Sequence, residues 1–418
     1  MDNNVSHHKQ QLQQQVVNMG DDTNGEEELY TQSDEKFEDN NNANQCPGAD
    51  TNADKKGYTC RIFGYRWSQI KWSNVLFLSA MHILAIYGYY HCIVSPIKVL
   101  TVSFIYIISC ASGIGILVGS HRLWAHKSFK ARWPLRLALM IMQTVSVNGS
   151  IYSYVRDHRT HHKWSDSVAD PKNSNRGFFF AHIGWWLLKK DPKVIECGRK
   201  LRYDDLWSDP IVRFQHRFYT PLVIVFCFIL PAVIPLIWSE DLLTAFVSCV
   251  GIRAVVVLHH MWTVNSIAHI FGDRYYDKRL RPTENKLVVY MSMGEGSHNY
   301  HHAFPWDYTT SYYKWYESYN LATLVIVISS LVGLAYDLKK PNKETIRNYV
   351  EKKGDIIEID RIHNRSLCVR LLLGLIDWIM GSIVTSWPIW TILIIKIALG
   401  FQWFFFDFND LIFIKYFN

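Results

Sequence analysis

None of the eight cysteines (46, 60, 92, 110, 197, 227, 249 and 368) forms a Cys-x-x-Cys pair. That excludes a zinc knuckle and a dithiol redox motif, and points to a reducing compartment. No His-Glu-x-x-His occurs, so a zinc-protease reading loses its support. The N-terminus lacks the apolar core of a secretory signal. Residues 1–54 carry almost no aromatics and are rich in Asn, Gln and acids; they are expected to form a disordered polar segment in which His7 and His8 are merely solvated. The net charge of +7 is modest. No basic domain stands apart from the apolar runs, so nucleic acid is not an expected partner.

What the chain does have is long apolar runs separated by polar blocks, the pattern of an all-α polytopic membrane protein. Four runs are expected to span a bilayer, at about 72–94, 99–119, 218–238 and 242–264. Each is ~20 residues, about what a helix needs to cross ~30 Å of hydrocarbon. Pro221, Pro231 and Pro235 should kink the third. The shorter stretch Leu135–Val147 reads as an interfacial or buried helix. An even number of spans puts both flanks and the central loop on one side. Lys and Arg crowd that side, which the positive-inside rule makes cytosolic.

Three histidine boxes lie beside these span ends: His121 and His126, then His158, His161 and His162, then His298, His301 and His302. On a helix, residues three and four apart share a face, so His158, His161 and His162 form one stripe. Neutral imidazole is a common metal ligand and suits Fe, Zn, Cu and Ni. Three imidazoles side by side gain little from packing, so a repeated His-x-x-His-His favours metal over structure. The number of ligands exceeds what one ion uses, which favours two metals. Asn265 and His269, four apart at the end of the fourth run, reach the same boundary. His121 and His126 are five apart, about 140° round an ideal helix. They are not expected to share an ion unless the helix bends. Asp157, Asp166, Asp170, Glu295 and Asp307 are candidates to orient ligating histidines. His259 and His260 read as packing or polar-network residues.

A His-rich pair of irons able to reduce dioxygen would break an unactivated C–H bond, and at a membrane boundary the fitting substrate is an alkyl chain. Four segments, HRLWAH, RDHRTHHKWSD, NSIAHIFG and GEGSHNYHHAFPWDY, closely resemble membrane acyl-CoA desaturases of the stearoyl-CoA (delta-9) type. The resemblance runs from about Trp67 to Gly354. It implies four helices spanning the endoplasmic reticulum membrane, a cytosolic N-terminus, and a cytosolic helical cap holding a di-iron centre. The implied ligands are His121, His126, His158, His161, His162, His269, His298, His301 and His302, with Asn265 reaching a metal through water. It also implies the partners: fatty acyl-CoA, O2, the lipid membrane, and cytochrome b5 with its NADH-dependent reductase.

Trp262 matches an aromatic position of that family's acyl tunnel. Arg156, Lys189 and Lys190 are candidates for the CoA head, with Lys193, Arg199 and Lys200 nearby. Ser109, Ser112 and Gly113 are candidate walls for the tunnel's closed end. The chain departs from the family's usual residues at Ser153, Tyr154, Ser297 and Lys172. The desaturase domain is expected over 55–354. Residues 355–418 form an atypical hydrophobic extension, readable as an added hairpin of two spans. Desaturation at another position and a histidine-box hydroxylase are the alternative reactions. A metal transporter is disfavoured because its ligands would sit near mid-bilayer.

Overall fold

A computed structural model describes residues 61–62 and 65–399; the segment 1–54 lies outside them. The chain divides into two units at Gly64, and the larger carries every span and all three boxes. Among the described residues, five helices are long and apolar enough to cross a membrane: α1 (Trp72–Val94), α2 (Val99–Ala125), the helix of Tyr219–Trp238, the helix of Leu242–Ile270 and that of Leu367–Thr385. Between the second and third lie α3 (Trp133–Val145) and α4 (Ile151–Lys163). The Tyr219–Trp238 span is α5 and the Leu242–Ile270 span is α6. The third box forms the short helix α7 (His298–Ala303). Leu367–Thr385 is α8, and α9 (Trp387–Ala398) follows it.

Two spans overrun their apolar stretches. The second was expected to end near 119 and continues to Ala125, while the fourth was expected to end near 264 and continues to Ile270. A helix of 29 residues is ~43 Å long at 1.5 Å per residue, more than the ~30 Å of hydrocarbon. The extra turns are where hydropathy stops and histidines start, so the first box and His269 ride on span ends, while the second and third boxes lie on the short helices α4 and α7. α5, which carries Pro221, Pro231 and Pro235, is not a regular α-helix throughout. Its ladder passes from α-helix through a π segment (Ile224–Ile229) to a 3-10 turn (Ile234–Trp238).

The spans are held in register by close approach and by one buried cation. A Cβ on Gly115 would lie 2.1 Å from the Gln143 backbone nitrogen, so α3 crosses α2 almost backbone to backbone, and the stretch read as interfacial or buried is a packed helix. Arg253, 1% exposed, donates to the carbonyls of Cys249 (2.7 Å) and Val145 (2.9 Å) and to Ser112 Oγ (3.3 Å). Those partners belong to α6, the end of α3 and α2. Hydrogen bonds from a buried guanidinium to carbonyls replace the water it gave up.

The C-terminal pair is unequal. α8 has 19 residues and α9 has 12. At 1.5 Å per residue α9 covers ~18 Å; residues 400–418 of the extension lie outside the described residues.

Candidate metal centre

Nine histidines converge into two groups from four helices. His121, His126, His158, His162 and His301 form one; His161, His269, His298 and His302 form the other. Within each group, one nitrogen per ring lies within 4.8 Å of all the others. The two groups adjoin, with the His162 and His302 rings stacked 4.1 Å apart.

Local backbone geometry explains the awkward first box. Gly115–Ala125 is a π-helix, and the His126 N–H donates to the His121 carbonyl (3.1 Å). In a π turn the residue five positions on is the hydrogen-bonded neighbour. His121 and His126 therefore come to one group, with ring centroids 4.8 Å apart, although an ideal helix would separate them. On α4 the stripe splits: His158 and His162, one turn apart, enter one group while His161 enters the other. Asn265 is buried and borders the chamber that His161 and His298 also line.

The ring nitrogens face one another. His126 and His158 Nε2 are 2.8 Å apart, His121 and His301 3.0 Å, His301 and His162 3.1 Å, and His269 and His298 3.0 Å. Burial first, and then the charges of neighbouring residues, hold His126, His158, His162, His298, His301 and His302 well below the usual histidine range. Neutral imidazoles with converging lone pairs are what a metal ion needs. The donor set therefore fits two nitrogen-ligated metals.

Three of the five candidate acids hold histidines. Asp170 meets His161 Nδ1 at 2.9 Å, Asp166 meets His269 Nδ1 at 2.9 Å, and Glu295 lies 3.3 Å from His121 Nδ1. Such partners fix the tautomer and aim the other nitrogen at the metal. Burial would raise the Glu295 carboxyl, but the Arg122 guanidinium and His121 hold it down at about 2. Glu295 stands three residues before His298 yet turns to His121 and Arg122 instead.

The other two acids do not reach histidines. Asp157 pairs with Arg156 (3.0 Å) and Lys190 instead. Asp307 accepts from Tyr300 Oη (2.6 Å) and the Thr309 N–H (2.8 Å). His259 belongs to a polar chain, with His82 Nε2 and His182 Nε2 each 2.9 Å away.

Of the predicted substrate residues, Trp262 is buried and lines the histidine chamber. Arg156 and Lys190 converge on Asp157, whereas the Lys189 side chain is exposed and its backbone N–H donates to the Gln69 carbonyl (2.7 Å). Lys193 and Lys200 both pair with Glu196. Sequence reading noted Lys172 only as a departure. It is in fact 6% exposed inside the chamber, its Nζ donating to Asn265 Oδ1 (3.2 Å) and lying over the Tyr154 and Trp185 rings. Burial lowers its pKa to about 8. A signal for it existed, since Lys172 and Tyr154 both depart from the usual residues and meet here.

Residues 98–320 match the family model for fatty acid desaturase. Mouse acyl-CoA desaturase 3 is 44% identical over 285 residues, 68% of this chain and 78% of its own length. The chain belongs to the fatty acid desaturase family. Other desaturases are comparably similar. The Caenorhabditis elegans Delta(9)-fatty-acid desaturase fat-6 is 44% identical over 287 residues, covering 68% of this chain and 84% of the worm protein. Human stearoyl-CoA desaturase is 42% identical over 306 residues, 73% of this chain and 82% of its own.

Proposed function

We propose that this desaturase-family chain inserts a cis double bond, at the delta-9 position, into a saturated fatty acyl-CoA. The observation that carries the reading is the pairing of two adjoining histidine groups with a chamber lined by Trp262 and Met261. The relatives' names supply the substrate class. Acyl-CoA, O2, two electrons and two protons give the monoene and two waters. The electrons come from NADH through a reductase and cytochrome b5.

Two iron ions are the fitting metals. His121, His126, His158, His162 and His301 would hold one; His161, His269, His298 and His302 would hold the other, with Asn265 beside it through a water. Bound iron supplies the one-electron chemistry that O2 reduction and C–H cleavage require. The chain's own residues do the rest. Asp170, Asp166 and Glu295 lock the His161, His269 and His121 rings. Trp262 and Met261 exclude water and pack against the alkyl chain. Arg156, Lys189 and Lys190 meet the CoA phosphates, with Lys190 and Arg156 pre-set by Asp157.

The catalytic unit in this reading spans 55–354, and 355–418 is appended to it. In this reading the protein resides in the endoplasmic reticulum membrane, and the Lys and Arg distribution supports a cytosolic N-terminus and site. The test is the fatty-acid profile, with double-bond positions, of desaturase-deficient yeast expressing the chain. A delta-9 monoene that disappears with His161→Ala is expected. Hydroxylated products, or none, from the accumulated iron-loaded protein would overturn the reading.

A further inference from the structure

The C-terminal helices are docked by contacts that an ordinary lipid-facing hairpin does not need. α8 buries one stripe, Gly374, Asp377, Gly381 and Thr385, residues three and four apart on one face. Most of its other apolar residues, Leu372, Leu375 and Ile379 among them, are exposed, while Trp378 is half-buried and donates to the Trp315 carbonyl (2.8 Å). A Cβ on Gly374 would fall 2.1 Å from the Tyr316 carbonyl oxygen, and one on Gly381 2.4 Å from the Tyr319 ring. Asp377 pairs with Lys286 and accepts from Tyr290 Oη (2.9 Å). At the turn into α9, Trp387 Nε1 donates to His260 Nε2 (2.8 Å), and further on Lys396 Nζ donates to the Ser95 carbonyl (2.7 Å).

The docked pair borders a mainly apolar cavity. Ser109 of α2, Val257 and Met261 of α6, and Met293 form one side; Thr385 and Ile389 form the other. Met261 also lines the histidine chamber. At Gly113 a Cβ would lie 2.9 Å from the Met293 sulfur and methyl carbon and 3.9 Å from the Met261 methyl carbon. Two methionines thus stand where the chamber and the cavity meet. Unbranched thioethers have three rotatable bonds and reshape around a guest. Arg253 also borders the cavity, but its guanidinium is spent on carbonyls of Val145 and Cys249.

We propose that the methyl end of a long acyl chain occupies this cavity, and that Thr385 and Ile389 of the C-terminal pair set the chain length accepted. The occupant rests on the desaturase reading; the participation of the appended helices goes beyond it. An alkyl chain is the fitting guest because the lining is mainly apolar and Met261 is shared with the chamber where its middle carbons would react.

The test has two independent readouts on the full chain. In desaturase-deficient yeast, Ile389→Trp is expected to lower the ratio of 18- to 16-carbon monoenes at least threefold, and Ile389→Ala to raise it. Ile394→Trp, on the exposed side of the same helix, leaves it unchanged. An unchanged ratio in both Ile389 variants would overturn the proposal. Separately, stearoyl-CoA carrying a diazirine at its methyl end should crosslink wild-type protein within 385–389. Crosslinks confined to other segments would overturn it as well. The crosslink needs no turnover, so a chain that labels there but makes no monoene sinks the desaturase reading alone. Should Ile389→Trp fail to accumulate, Ile389→Ala and the crosslink decide.

Discussion

His161 and His162 are neighbours in the chain, yet they face different histidine groups. His301 and His302 are divided the same way. Each His-His pair therefore bridges the two groups, and the distance between the groups is fixed by one helical residue step on α4 and again on α7.

That division predicts metal content. Purified wild-type protein should hold about two irons per chain, since two four- to five-ligand groups are present. His161→Ala and His162→Ala should each lower the count toward one, and each should abolish turnover. The pair of variants is read by elemental analysis beside a product assay. A full count of two in either variant would show that its histidine is not a ligand.

Asp170 and Asp157 are both acids beside the second box, and only Asp170 touches a histidine. Asp170→Asn should weaken iron retention or turnover by roughly 10–100-fold, the usual cost of losing a ligand's outer partner. Asp157→Asn should retain iron and instead raise the KM for acyl-CoA, because it loosens Arg156 and Lys190. Titration with an iron chelator separates the two.

Glu284 should give stability a pH dependence. Burial pushes its carboxyl up to about 7, against the help of the Tyr300 N–H that it accepts (2.9 Å). The folded state then holds a proton that the unfolded state releases near the ordinary glutamate value. Stability from this group is fully present below that ordinary value and is lost as pH rises toward 7. Melting temperature in detergent should fall between pH 5 and pH 7.5. Glu284→Gln should flatten that part of the slope; an unaltered slope would rule the group out.

Gly381→Val should detach α8. A Cβ there would overlap the Tyr319 ring, and overpacking of this kind costs about 1–3 kcal/mol. The melting temperature should drop. Gly381→Ala should show a smaller drop in the same direction. Substitution at exposed Leu372 should show none.

Much of this arrangement was legible in the sequence. The histidine spacing pointed to the residues that converge into two groups able to hold metal, and the hydropathy runs located four of the long apolar helices to within a residue or two of their starts. Two things were hidden, for different reasons. The π turn at Gly115–Ala125 has no simple periodic signature, so His121 and His126 looked misaligned. The partition of His158, His161 and His162 depends on which helix faces which side of α4, a tertiary fact that one helix's periodicity does not carry. The tail is intermediate. Gly374, Asp377, Gly381 and Thr385 mark a face in the sequence, but Tyr319 and Lys286 as its partners emerge only from the packing. Asp377, an acid within an apolar run, is a residue that anchors it.

The anchoring of Asp377 also bears on how the protein is born. Its partner Lys286 precedes it by 91 residues. At about 5–20 residues per second, the ribosome needs on the order of 5–20 s to deliver the anchor after the socket. During that interval the flank formed by Met261 and Ser109 lacks the wall that Thr385 and Ile389 later supply. The desaturase-family core is therefore made before the helices that border its cavity.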